Sequence, residues 1–261
     1  MVDRGTIQRG PGLMLRMRVV MRSAWIQSTL NYEGMQNLGR LFALIPVAKW
    51  LLLSRDEMTG FTTRHLSYFN SNPFVATLGL GALARIETDS RDAGGPDEGL
   101  IERMSMRLSA PLGAVGDKLF WASIRPQAAL LGILVAMLWG VWGAVAYVAC
   151  FAVWSFIYRW MGFQRGWDLG LSVARAFKDE WLRRPGLWAS SMASATAGFV
   201  LVVLAGWSSG GDGAPYDIVV FVLTGVSGAT WVSGGRRPTW ALVLAMGWVA
   251  VVSLLRYLFT S

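Results

Sequence analysis

The sequence predicts an all-α polytopic membrane protein, and three observations support this prediction. Hydrophobic residues make up 54% of the 261-residue chain and charged residues only 15%, which is typical of membrane proteins. Long uncharged runs fill the second half of the chain, whereas the first half mixes short apolar stretches with charges. The 14 tryptophans suit packing and anchoring at the bilayer interface.

Charge and cysteine content exclude several classes of protein. The net charge of +8 does not indicate nucleic-acid binding, because basic residues that alternate with apolar runs are better explained by membrane orientation. The single cysteine, Cys150, lies inside an apolar run, which excludes a disulfide framework and a thiolate metal cluster. We expect no cofactor.

Residues 1–25 are predicted to form an interfacial amphipathic helix. The apolar stretch LMLRMRVVM contains Arg16 and Arg18, and no small-residue cleavage site follows it. This pattern indicates a helix that lies on the membrane surface rather than a signal peptide.

Residues 26–125 are predicted to contain broken or re-entrant helices. The stretch LFALIPVAKWLLL is interrupted by Pro46 and Lys49, and the stretch FVATLGLGALA is short and rich in glycine. Broken helices survive at membrane depth only where protein buries them or where they line a wet cavity. The intervening ETDSRDAGGPDEG is predicted to be a solvated loop.

The remainder of the chain is predicted to cross the membrane several times. Residues 126–158 carry no charge and form either an apolar hairpin that turns near Gly140 and Gly143, which we favour, or one steeply tilted helix. Residues 159–184 are basic and are expected to face the cytoplasm. Residues 185–261 are expected to form transmembrane helices, with the loop that holds Asp212 and Asp217 on the outer face.

Three motifs in the first half contain the candidate site residues. The first, LNYEGMQNLGRLFALIP, contains Asn31 and Glu33. Glu33 either binds substrate or pairs with an arginine. The second, RHLSYFNSNPF, contains Asn70 and Asn72 before a proline, which breaks a helix. The two carboxamides either cap a helix end or face a ligand, and a carboxamide offers the donor and the acceptor that an uncharged sugar requires.

The third motif, APLGAVGDKLFWASIRP, presents Asp117 after a glycine turn. A carboxylate between apolar flanks is costly unless it is paired or functional, so Asp117 is either a helix cap or a site residue. The only histidine, His65, is either a proton or phosphoryl carrier or an interfacial anchor, and we favour the anchor.

These three motifs, in this order, resemble the IID component of the mannose/fructose/sorbose family of bacterial sugar phosphotransferase systems. The resemblance is strongest from Arg22 to Pro126 and weaker through the stretch RWMGFQRGWDLG. It implies a multi-pass inner-membrane subunit that forms a hetero-oligomer with a IIC partner and moves a hexose by an elevator-like movement. It also implies that the IIA and IIB proteins carry the phosphoryl group, so that this chain is not itself an enzyme.

We expect five residues to bind the substrate: Asn31, Glu33, Asn70, Asn72 and Asp117. Three positions depart from the family pattern, namely Ser67, Ala110 and Lys118. A lysine next to Asp117 can neutralise that carboxylate. An orphan regulatory or scaffold membrane protein without transport activity is therefore the alternative function.

An intramembrane aspartyl protease is a further alternative. It would use Asp117 and Asp217 as two carboxylates that share a proton. The stretch GAVGD lacks the G-x-G-D spacing of such enzymes, and the order of the two aspartate motifs is reversed. Both differences argue against a protease.

Overall fold

The computed structural model describes residues 10–92 and 98–208, with isolated helical positions between 240 and 254. No strand occurs among these residues, and the all-α prediction is confirmed for them. The helices are α1 (Leu13–Ser23), α2 (Asn37–Trp50), α3 (Arg55–His65), α4 (Ala76–Asp92), α5 (Glu98–Gly116), α6 (Arg125–Trp139), α7 (Val141–Leu169) and α8 (Glu180–Ser208). A π-helical segment (Asp117–Ile124) joins α5 to α6, and a 3-10 segment (Gly170–Lys178) follows α7.

Helix α4 lies at the centre of the first of two compact units, which comprises Met1–Asp117 and Val153–Asp179. All residues from 71 to 84 are buried, and none of them is charged. A helix that is apolar all round has to be enclosed by other elements. Helix α4 accordingly packs against α2, α5 and the 3-10 segment.

Two glycines allow α4 to pack closely against the C-terminal part of α7. A Cβ atom on Gly81 would lie 2.2 Å from the carbonyl oxygen of Phe163, and one on Gly166 would lie 2.0 Å from the carbonyl oxygen of Leu78. Only glycine permits backbones to approach this closely, as in other tightly packed membrane helices. The last part of α7 therefore belongs to the first unit, and the predicted boundary between residues 158 and 159 falls inside a continuous helix.

The helical interruption predicted at the second motif is present, but the one predicted at Pro46 is not. Helix α3 ends at His65 and α4 begins at Ala76, with non-helical chain between them. Helix α2 instead continues through Pro46 to Trp50. Proline removes one backbone hydrogen bond, and the buried residues on both sides of it, Leu44 and Val47 among them, hold the helix in place by packing.

Helix α1 lies within the region predicted to be an interfacial helix. It packs against α2, and it buries Val19 and Val20. Leu13, Met14 and Met21 remain exposed. Exposed apolar side chains beside arginines are typical of helices at a membrane interface, and the interfacial position of α1 stays a prediction.

The second unit comprises Lys118–Ala152 and Glu180–Ser261. Its helix α6 turns back into the first part of α7 at Gly140, whose φ of +59° is readily adopted by glycine. Gly132 and Tyr147, which lie at similar distances from the turn, face each other across this pair of helices. The turn in the apolar region 126–158 thus lies at Gly140, and the second arm extends beyond residue 158 to Leu169.

Polar side chains connect the π-helical segment and α6 to α8. Ser190 Oγ donates a hydrogen bond to Ser123 Oγ at 3.0 Å, and Gln127 Nε2 donates to Thr196 Oγ1 at 3.2 Å. Residue numbers rise together along both elements, so the two run parallel. Hydrogen bonds of this kind stabilise the association of apolar helices in lipid.

Two helical stretches among the described residues are long and apolar enough to cross a membrane, Gly99–Met137 and Val141–Ser190. Only 28% and 17% of their most apolar windows are buried. Trp142, Val145 and Val148 are among the exposed side chains. Apolar surface of this extent is expected to face lipid or another protein.

The basic segment 159–184 is helical over nearly all of its length. It contains the end of α7, the 3-10 segment and the start of α8. Its cytoplasmic location stays a prediction. The loop with Asp212 and Asp217, the apolar run 218–235 and most of the run 239–255 lie outside the described residues.

Candidate functional site

Backbone hydrogen bonds join the first motif to the second. The Gln36 N–H donates to the Phe69 carbonyl at 2.8 Å, and the Phe69 N–H donates to the Gly34 carbonyl at 3.2 Å. Met35, between these contacts, has a φ of +56°. This left-handed conformation is unfavourable for a non-glycine residue, so the surrounding contacts must maintain it.

Gln36 strengthens this connection with its side chain. Its Nε2 donates to the Ser71 carbonyl at 2.6 Å, and its Oε1 accepts from the Ser71 N–H at 3.2 Å. The carboxamide therefore satisfies both backbone groups of a buried residue, which a carboxylate cannot do because it lacks a donor. Gln36 belongs to the first motif, but no local sequence signal indicates this role.

Asn72 and Asp117 connect the second motif to the third. Asn72 is buried, and its Nδ2 donates to Asp117 Oδ1 at 2.9 Å. The Asn72 Oδ1 accepts from the Phe74 N–H at 3.1 Å. A Cβ atom on Gly116 would lie 2.2 Å from the Asn72 Cβ, so the glycine before Asp117 makes this close approach possible.

The carboxylate of Asp117 is exposed, whereas its asparagine partner is not. Among the described residues Asp117 Oδ1 accepts from Asn72, and Oδ2 makes no hydrogen bond. The buried Asn72 thus orients the Asp117 carboxylate and leaves one of its oxygens accessible to a ligand.

Asn70 differs from Asn72 in the use of its side chain. Its backbone N–H donates to Ser109 Oγ of α5 at 3.3 Å, which fixes the main chain. Its half-buried carboxamide makes no hydrogen bond to any other described residue. Asn70 consequently has a free donor and a free acceptor near the Asn72–Asp117 pair along the chain.

Asn31 and Glu33 lie in the loop of the first motif. Asn31 Oδ1 accepts from the Gly34 N–H at 2.8 Å, and its Nδ2 donates to Asn37 Oδ1 at 2.9 Å. These contacts shape the loop. Glu33 is exposed and makes no ion pair with any described arginine, so the predicted salt bridge is not seen in this part of the chain.

His65 is buried, which contradicts its predicted role as an interfacial anchor. The ring is fully enclosed, and its Nε2 lies 3.0 Å from Glu87 Oε1. Arg64 approaches the other oxygen of Glu87 at 3.0 Å. No local pattern predicts the burial of His65, because its partner, Glu87, is 22 residues away, on α4.

The protonation of this cluster follows from burial and charge. Burial lowers the pKa of His65, the hydrogen bond to Glu87 opposes that effect, and the nearby Arg40 adds to it. Burial opposes ionisation of Glu87, but contacts with His65 and Arg64 outweigh it and lower the pKa of that carboxyl group. His65 is therefore neutral at pH 7 and donates through Nε2 to an ionised Glu87.

Arg40 of α2 anchors the chain that follows α3. Its guanidinium is fully buried and donates to the carbonyls of His65 at 2.6 Å and Ser67 at 2.8 Å. Burial lowers the pKa of Arg40 to about 9, which still leaves the group charged at neutral pH. Since carbonyls at a helix C-terminus attract cations, Arg40 fixes the start of the segment that contains Asn70 and Asn72.

Arg159 is a second buried cation that sequence analysis did not identify as a candidate residue. It lies on α7 with its guanidinium carbon 4.7 Å from the centre of the Phe74 ring. Only 8% of the residue is exposed, and it makes no hydrogen bond to the described residues. A buried cation without a hydrogen-bonded partner is costly, so this position indicates a partner beyond the described residues.

The described residues include no group of three or more histidine, cysteine, aspartate or glutamate side chains that could hold a metal ion. Among the candidate residues that the structure describes, the carboxamide of Asn70, one oxygen of Asp117 and the carboxylate of Glu33 remain without a hydrogen-bond partner. This chemistry is suited to hydrogen bonding with an uncharged ligand.

Comparison with known proteins gives a family match across most of the chain. The family model described as the PTS system mannose/fructose/sorbose family IID component matches residues 14–204. The mannose-specific EIID component of Escherichia coli K12 is 30% identical over 167 residues, which cover 64% of this chain and 59% of that protein. The fructose permease IID component of Bacillus subtilis is 27% identical over 152 residues, which cover 58% and 55%. The chain therefore spans less than two thirds of the length of these curated relatives.

Solved structures similar to this chain include the following two. One, described as a membrane protein, has a TM-score of 0.65 and 29% identity, and the match covers 73% of this chain and 70% of that chain. The other is the cryo-electron-microscopy structure of the mannose transporter ManYZ with microcin E492, with a TM-score of 0.58 and 23% identity over 95% and 96% of the two chains. The second match shows similarity of fold.

Proposed function

Because the chain belongs to the mannose/fructose/sorbose family of phosphotransferase IID components, we propose that it is the IID subunit of a sugar permease. Together with a IIC membrane partner, it translocates a hexose across the bacterial inner membrane, and a IIB protein phosphorylates the sugar. The subunit itself performs no phosphoryl transfer.

The observation that carries this proposal is the hydrogen bond between Asn72 and Asp117, which connects the second and third motifs. The pair holds one carboxylate oxygen accessible, and Asn70 supplies a carboxamide that no described residue occupies. A sugar hydroxyl both donates and accepts hydrogen bonds, and these two groups offer the complementary atoms. We assign Asn70 and Asp117 to direct sugar contact, and Asn72 to the orientation of Asp117.

The two candidate residues of the first motif have different roles in this proposal. Asn31 shapes its own loop through contacts with Gly34 and Asn37, and that loop supports the second motif. Glu33, which is exposed, is available for a sugar or for a contact with the IIC partner.

A hetero-oligomer is supported by the apolar surface of the helices. Most of each candidate membrane stretch is not buried by the described residues. We propose that a IIC subunit covers part of this surface, that the transport movement is elevator-like, and that IIA and IIB proteins bind at the cytoplasmic side. Family membership supports all three statements.

The alternative is a regulatory or scaffold protein that has kept the fold and lost transport. Lys118 favours it, because the lysine directly follows Asp117 and is exposed beside it. In that case the chain would still assemble with a IIC protein, but sugar uptake would not depend on Asn70 or Asp117.

Uptake of a labelled hexose tests the proposed function. Cells that lack their own mannose-family permease are supplied with this chain and with matched IIA, IIB and IIC proteins, and membrane levels of each are measured. We expect uptake that requires this chain and that is lost in an Asp117→Ala variant. Assembly with IIC without any uptake would support the scaffold alternative and refute transport.

A further inference from the structure

A cavity of about 860 Å³ lies between α1 and α2, in a part of the first unit that the proposed sugar site does not use. Among the described residues that line it, three are cationic: Arg18, Arg22 and Lys49. None of the described residues that line it is acidic. The cavity is therefore complementary to an anion.

Two of these cations are free within the described part of the chain. Arg18 and Lys49 are exposed and make no hydrogen bond or ion pair there. Arg22 is half-buried, lies over the Phe42 ring at 4.6 Å and donates to the Phe42 carbonyl at 3.2 Å. Arg22 is thus held in place, while the other two cations are available to a ligand.

The N-terminus of α1 lies in the cavity wall and has the same polarity. Gly10, Pro11 and Gly12 line the cavity immediately before α1 begins. This helix start has no side-chain cap and no acidic residue in its first turn. Its free N–H groups and its dipole favour an anion, in addition to the cationic side chains.

The wall is held in position by contacts outside the cavity. Arg16 Nε donates to the Pro11 carbonyl at 2.7 Å, and Arg16 Nη1 donates to Gln164 of α7. Both contacts lie within the first unit. They fix the residues that precede α1 relative to the C-terminal part of α7.

The other side chains among the described lining residues are apolar, which favours a lipid over a free anion. Met14, Leu15, Ile45 and Trp50 line it together with the cations. Met14 is 67% exposed, as expected of a residue in contact with acyl chains. Tryptophan and arginine side by side are typical of a helix at the level of the lipid headgroups.

We propose that this cavity binds the headgroup of an anionic phospholipid. The phosphate contacts Arg18, Lys49 and the N-terminus of α1, and the acyl chains lie along Met14 and Ile45. This site is separate from sugar contact and does not depend on the proposed transport function.

Lipid binding tests the proposal directly. The full-length chain is purified in mild detergent with any membrane subunit that co-purifies, delipidated, and titrated with phosphatidylglycerol, phosphatidylcholine or inorganic phosphate. Native mass spectrometry measures the bound lipid. We expect one phosphatidylglycerol to bind in preference to phosphatidylcholine, and inorganic phosphate to displace it only at large excess.

A matched pair of double variants locates the site. Arg18→Gln with Lys49→Gln should weaken phosphatidylglycerol binding by about ten- to thirtyfold, since each basic residue near a lipid surface contributes on the order of 1 kcal/mol. Arg175→Gln with Lys178→Gln removes the same two residue types from the exposed surface of the 3-10 segment and should leave binding unchanged. Arg18→Lys keeps the charge and should bind normally.

Four results would each overturn the proposal. These are the absence of bound phosphatidylglycerol, equal binding of both lipids, equal effects of the two double variants, and displacement by inorganic phosphate at equal concentration. The last result would identify a site for free phosphate instead.

Discussion

Asn72 and Asp117 are 45 residues apart in the sequence, and the Nδ2 of one donates to the Oδ1 of the other at 2.9 Å. One end of this pair is buried and the other is exposed. The buried carboxamide is also held by the Phe74 N–H, so its orientation is fixed. The pair positions a carboxylate for a ligand, and its geometry leads to the first prediction.

Exchange of the two residues should separate their structural and functional roles. Asn72→Asp places two carboxylates in contact, and we expect a loss of about 1.5 to 3 kcal/mol, the usual range for a hydrogen bond to a charged group. Adding Asp117→Asn restores a carboxamide opposite a carboxylate and should recover most of the lost stability. Thermal unfolding of the single and double variants measures this coupling.

Hexose uptake by the double variant then tests the role of the exposed charge. If Asp117 contacts the sugar, the stable double variant should still transport poorly, because its carboxylate is now buried at position 72. Full recovery of both stability and uptake would show that only the pairing matters.

Replacement of Asn70 by alanine should weaken sugar binding without destabilising the protein. Its carboxamide has no hydrogen bond to lose among the described residues, whereas a bound sugar would lose about 1 to 3 kcal/mol. We expect the KM of uptake to rise about tenfold or more with an unchanged melting temperature. Gln36→Glu is the matched comparison, since it removes the donor to Ser71 and should lower the melting temperature. An unchanged KM for Asn70→Ala would remove this residue from the site.

The sequence predicted the features of the structure that depend on short-range interactions, but not those that depend on long-range contacts. The motifs, the helix interruption before α4 and the turn at Gly140 follow from local signals such as proline, glycine and asparagine. The Asn72–Asp117 contact and the burial of His65 against Glu87 depend on partners far away in the chain, and no local pattern identifies them. Arg40 and Arg159 were not predicted to be buried, because a lone arginine beside an apolar run is usually exposed.

The stability of the protein should decrease as the pH falls through about 6.5, because of His65. Burial lowers the pKa of His65, and Arg40 and Arg64 add to this, while Glu87 opposes it. An unfolded histidine takes up a proton near pH 6.5, whereas the folded one resists it, so stability is lost as the pH falls below about 6.5. Glu87, whose pKa is also lowered, adds to the loss only at more acidic pH.

His65→Gln provides the control for this prediction. His65 is the only histidine in the chain, so the variant should flatten the dependence of the melting temperature on pH in this range. Glutamine can still donate to Glu87, and the buried ring is not accessible to a phosphocarrier protein, so we expect phosphate-coupled uptake to persist. An unchanged pH slope, or loss of uptake in a stable variant, would contradict this account of His65.

The final prediction concerns Arg159, whose guanidinium lies over the Phe74 ring without a hydrogen bond to the described residues. Arg159→Met keeps an unbranched side chain and removes the charge, so the chain should be as stable as the original or more stable, because an uncompensated buried charge is lost. Uptake should nevertheless fall, since we expect the cation to pair with a group outside this chain, either on the sugar or on the IIC subunit.

The control is Arg165→Met on the same helix, which breaks a partly exposed ion pair with Asp179 whose two atoms lie 2.7 Å apart. This variant should change stability by at most about 1 kcal/mol and leave uptake intact. Melting temperature, co-purification of IIC and uptake are measured for both variants. A large loss of stability in Arg159→Met would show that the charge is already compensated within the chain, and normal uptake would show that no external partner requires it.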